Sequence, residues 1–76
     1  MNKARRERIS KAVEMLSEAV DILSEASDEE QEYLDNMPEN LQGSEKYETA
    51  ESAVEALTEA VESVQSAISD AESATE

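Results

Sequence analysis

From Ile9 onward, apolar side chains return at alternating steps of four and three residues: Ile9, Val13, Leu16, Val20, Leu23. Ser27 and Glu30 hold the next two places, and Leu34 and Met37 resume the series. A 4-3 rhythm sustained this long is the a/d seam of a coiled-coil helix. It predicts a first helix over about residues 3–36. The same rhythm runs through Tyr47, Ala50, Val54, Leu57, Val61, Val64, Ile68, Ala71 and Thr75, predicting a second helix over about 45–75.

Between them, residues 37–44 hold the only Pro and the only Gly of the chain. Pro38 has no N–H to donate and disfavours helical geometry at Met37. Gly43 frees the backbone, and Ser44 is a natural N-cap. Pro38 to Leu41 has room for one short helical turn. Folding the chain back at this point pairs Val13 with Ile68, Leu16 with Val64, Val20 with Val61 and Leu23 with Leu57. The paired numbers sum to 80 or 81 along the whole seam, so the halves match without a stutter. The expected fold is all-α: one domain spanning residues 1–76, an antiparallel two-helix hairpin of the coiled-coil type.

With Ile9 at d and Val13 at a, Ala12, Ala19 and Ala26 fall at g, as do Ala53, Ala60 and Ala67 in the second helix. Met15 and Ile22 fall at c. The apolar stripe is thus wider than a two-stranded seam requires. Small side chains at g let helices approach closely, and two hairpins packed into a four-helix bundle would bury the excess. Alanine's helix propensity accounts for part of the same pattern. The polar interruption at Ser27 and Glu30 reads as a wet, frayed stretch near the turn, or as a polar layer that fixes register.

Composition sharpens this picture. A chain of 76 residues without Cys, Trp or Phe builds little core alone, so self-association or a partner is the expected source of stability. The net charge of −14 is uneven: residues 1–11 carry Lys3, Arg5, Arg6, Arg8 and Lys11 against Glu7, and Lys46 alone opposes the acids beyond. Such a body repels nucleic acid and anionic membrane. In the hairpin the basic start lies beside Asp70, Glu72 and Glu76, and pairing within the chain is the expected fate of its cations. No apolar segment has the length of a membrane span or a signal-peptide core, so a soluble, cytoplasmic protein is expected.

Every b and f position in the body of the first helix is acidic: Glu14, Glu18, Asp21, Glu25, Asp28, Glu32 and Asp35. This is a candidate contact face for a basic protein, and it is equally an ordinary solvated face. There is no His and no Cys, which removes the usual general base, the thiol nucleophile and the usual zinc ligands. No Gly-rich phosphate loop or calcium loop is present. No catalytic residue, metal or cofactor is expected.

The start, Met1-Asn2-Lys3-Ala4-Arg5-Arg6, and the middle, Asp28-Glu29-Glu30-Gln31-Glu32-Tyr33-Leu34-Asp35-Asn36-Met37-Pro38-Glu39-Asn40-Leu41-Gln42-Gly43-Ser44-Glu45, resemble a family of small acidic proteins encoded by phages and prophages of Gram-positive bacteria. The likeness covers most of the chain and is most specific in the middle segment. It implies a phage origin and a bacterial host cell, and it supplies no activity and no site residues.

Three functions fit these observations. One is a self-associating interaction protein that inhibits a host defence or nucleic-acid-handling protein, by mimicking a polyanion. Its carboxylates advance about 5 Å each along the helix, short of a duplex's one charge per ~1.7 Å. Another is an oligomer that traps a nucleotide signal between subunits, with Arg5, Arg6, Arg8 or Lys11 on phosphates and Tyr33 or Tyr47 on a base. The last is a structural coiled-coil module, with only itself as partner, as a homodimer or a larger assembly.

Overall fold

The computed structural model describes residues 1–76: helix α1 (Lys3–Asp35), one 3-10 turn (Glu39–Leu41) and helix α2 (Glu45–Ala74). The two helices lie against each other in a hairpin 60 Å long and 14 × 14 Å across. A straight pair of helices would be much flatter in one direction. The equal cross-sections are those of two helices wound about one another, as a seven-residue repeat requires.

Each helix begins where a side chain satisfies an otherwise orphaned donor. Asn2 Oδ1 accepts the Arg5 N–H at 2.8 Å, and Ser44 Oγ accepts the Tyr47 N–H at 3.3 Å. The starts differ electrostatically. The first turn of α2 carries Glu45 and Glu48, which favour the positive end of the helix dipole, whereas the first turn of α1 has no acid.

The bend forms as the composition of 37–44 requires. The Asn36 N–H still reaches the Glu32 carbonyl at 3.0 Å, and Met37 reaches Leu34 at 3.2 Å. Pro38 then turns extended, with φ −57° and ψ 147°. Its carbonyl accepts the Leu41 N–H at 2.9 Å, closing the short turn. Gly43 adopts φ +87°, a conformation that costs a residue with a Cβ, and delivers Ser44 to its capping position.

Burial follows the seam. Every a and d residue from Ile9 to Met37 and from Tyr47 to Thr75 is at least half-buried, including Ser27 and Glu30. Only Leu34, Met37 and Ala50 are buried, and all three lie at the bend. Glu30 and Ala50 line one cleft, as do Tyr33 and Lys46, in agreement with pairs that sum to about 80.

Two expectations need correction. The stretch around Asp28-Glu29-Glu30 is not frayed: α1 runs unbroken through it to Asp35. Backbone hydrogen bonds continue there, and the half-buried Glu30 lines one open cleft with the small Ala50 opposite. Nor does the basic start pair with the end of α2. The single ion pair is Lys3 to Glu7, at 4.0 Å within α1 and well exposed. Arg8 at c and Lys11 at f point away from the seam, and Arg5 and Arg6, at g and a, lie opposite Ala74 and Thr75 rather than an acid, so neighbouring height along the axis does not become an ion pair.

Candidate functional site

The heptad pattern divides the hairpin into distinct sides, and the acidic face and the alanine stripe each fall on one of them. In an antiparallel pair, g positions of both helices flank the seam on one side and e positions flank it on the other. The surface clefts follow this division. Those near the bend are walled by Ala26, Tyr33, Lys46, Thr49 and Ala53, from g and c, together with seam residues. Those on the opposite side are walled by Ser24, Thr58 and Gln65, from e, with Asp28 and Glu62 from b.

The acidic side is continuous. Glu14, Glu18, Asp21, Glu25, Asp28, Glu32 and Asp35 are all exposed along one uninterrupted helix. None forms an ion pair. Asp35 accepts a hydrogen bond from Gln31 Nε2 at 2.9 Å, its neighbour one turn back. The b and f carboxylates of α2, among them Glu48, Glu55, Glu59 and Glu62, extend the same charge over the back of the second helix. A run of unpaired, solvated carboxylates attracts a cationic surface.

The candidate ligand contacts do not meet within one chain. Arg5, Arg6, Arg8 and Lys11 stand at the open end of the hairpin, and Tyr33 and Tyr47 stand at the bend. The 22 residues of helix from Lys11 to Tyr33 place them about 33 Å apart. Tyr33 is half-exposed on the g side, and Tyr47 is partly buried in the seam. No grouping of Asp and Glu is arranged to hold a metal ion.

The alanine stripe lies together on the g side. Ala19, Ala26, Ala53 and Ala60 are partly buried, while Ala12 and Ala67, nearer the open end, are exposed. Met15 and Ile22, at c and three residues beyond Ala12 and Ala19, widen this side as their positions lead one to expect, and they are 61% and 67% exposed.

No helix is long and apolar enough to cross a membrane. Comparison with protein-family models, curated proteins and solved structures finds no match to this chain.

Proposed function

We propose that this chain is a non-enzymatic, self-associating interaction protein of phage type, acting in the bacterial host cell. Its acidic outer face engages a basic surface of a host defence or nucleic-acid-handling protein, in place of a polyanion. The observation that carries this reading is the line Glu14, Glu18, Asp21, Glu25, Asp28, Glu32, Asp35, exposed and without a cation partner along the body of α1. Seven carboxylates spaced by about 5 Å create a one-signed field that steers a cationic partner from a distance. The resemblance of the middle segment to phage-encoded acidic proteins supports the setting, and the alanine stripe with its exposed neighbours supports self-association.

The test is capture from a lysate of a Gram-positive bacterium on the immobilised protein, washed at low and at high salt. A basic nucleic-acid-binding protein should be retained at low salt and released as salt rises, because exposed charge pairs are screened. Replacing the seven carboxylates by their amides should abolish retention while the helical content stays. Equal retention by the amide variant overturns the reading. Trapping of a nucleotide signal requires Arg5, Arg6, Arg8 or Lys11 of one copy to approach Tyr33 or Tyr47 of another. Absence of heat on titration with cyclic dinucleotides excludes it.

A further inference from the structure

The side formed by positions c and g is set apart from the rest of the molecule by what it lacks. Of the 20 acidic residues, only Glu29 and Asp70 lie on it. Half of the six cations, Arg5, Arg8 and Lys46, lie on it too, so this side is weakly positive on a chain of charge −14. Its centre is apolar, with Met15 and Ile22 largely exposed beside the alanine columns. A solvated face has no reason to exclude acids while exposing a methionine and an isoleucine.

We propose that a second copy of this chain covers this side, stacked end for end, with α1 on α1 and α2 on α2. The proposal deepens the self-association reading above and rests on it. The stacking is fixed by self-complementarity about a two-fold axis level with Ala19. In that arrangement residues whose numbers sum to 37 or 38 meet across the axis. Met15 then meets Ile22, Arg8 meets Glu29, and Ala12 meets Ala26. Arg5 comes over the ring of Tyr33, a cation–π geometry. On α2 the corresponding centre is Ala60, which pairs Ala53 with Ala67. Ala19 and Ala60 lie at nearly the same height in the hairpin, so one axis serves both helices.

Charge selects this orientation over its alternative. The bend, residues 28–51, carries nine acids against Lys46, and the open end, residues 1–11 and 70–76, carries five cations against four acids. Stacking end for end sets the acidic bend of one copy over the basic end of the other. Stacking with both bends together would set acid over acid. The side runs the 60 Å length of the hairpin, and two copies that wind together along it bury an area of the order of the ~800 Å² that each partner contributes to a standard interface.

The absence of Cys makes a direct test available. Single cysteines are introduced as Ala19→Cys, Ala60→Cys, Ala12→Cys and Ala26→Cys, and each full-length variant is oxidised mildly. A disulfide needs Cα atoms within about 7 Å. Ala19→Cys and Ala60→Cys should each give a covalent dimer. Ala12→Cys alone should give at least tenfold less, its two copies lying about 21 Å apart, whereas an equimolar mixture with Ala26→Cys should cross-link. Sedimentation of the unchanged chain is run alongside, with Ile22→Glu expected to weaken association at least tenfold. A monomer at every concentration overturns self-association and this arrangement together. An oligomer in which Ala12→Cys joins to itself, or in which neither Ala19→Cys nor Ala60→Cys joins, overturns the arrangement alone.

Discussion

The Ser44 hydroxyl accepts the backbone N–H of Tyr47 at 3.3 Å, and this bond starts the second helix. It stands at the only chain reversal, so it sets where α2 begins relative to α1. Ser44→Ala should lower stability by about 1 kcal/mol. Ser44→Asp should keep the cap and add a favourable charge at the helix start. Urea unfolding followed by circular dichroism, at fixed protein concentration, measures both. Equal midpoints for Ser44→Ala and the parent chain would show that the bond contributes nothing.

Gly43 tests backbone strain free of crowding. Its φ is +87°, and a Cβ built there meets nothing within 4 Å. The cost of Gly43→Ala is therefore conformational alone, about 1–2 kcal/mol. Gly43→Asn should cost less, since Asn tolerates the left-handed region better. A thermal melt that ranks Ala as no worse than Asn contradicts the assignment.

Glu30 occupies a seam position, half-buried and without a cation partner. Replacing it by Leu removes the desolvation of a carboxylate and adds apolar burial opposite Ala50. Glu30→Leu should raise stability by about 1–2 kcal/mol. A lower urea midpoint would instead assign Glu30 a necessary role in the alignment of the helices.

Packing is tightest at the bend. Leu34 is 7% exposed, while Leu16, a seam leucine of the middle, is only half-buried. Leu34→Ala should cost about 2–4 kcal/mol and Leu16→Ala about 1–2. The ratio of the two, from unfolding curves at one protein concentration, reads the gradient of burial along the seam.

Salt should stabilise this protein. A charge of −14 repels itself, and the single exposed pair Lys3–Glu7 gives salt little to break. The melting temperature should rise between 10 mM and 1 M sodium chloride, as the Debye length falls from about 30 to 3 Å. A fall would mean that attraction between charges, rather than repulsion, dominates the assembly.

The sequence carried the fold almost completely, because a hairpin is specified by local signals. Every residue marked by the 4-3 spacing is at least half-buried, and Pro38, Gly43 and Ser44 each have one physical use at the bend. Two features were not legible. Local polarity at Asp28-Glu29-Glu30 looked like fraying, yet the helix is held there by its own backbone bonds and by Leu34 and Ala50 just beyond. Height along the axis put Arg5, Arg6, Arg8 and Lys11 beside Asp70, Glu72 and Glu76, but c and f aim Arg8 and Lys11 outward, and Arg5 and Arg6 at g and a lie opposite Ala74 and Thr75. The candidate contact face was legible as exposed and acidic. Its partner was not, because water and a cationic protein call for the same carboxylates at b and f.

Leu34, Met37 and Ala50, the three most buried side chains, all fall within 17 consecutive residues. The first durable contact of the folding chain therefore closes a short loop at small entropic cost. From that knot the remaining layers can zip in order toward Ile9 and Ala71, each seam contact shortening the reach to the next. Such a molecule should form from its middle outward and open from its loose tips inward. Changes near the bend should therefore govern how fast it forms, and changes near the tips how readily it opens.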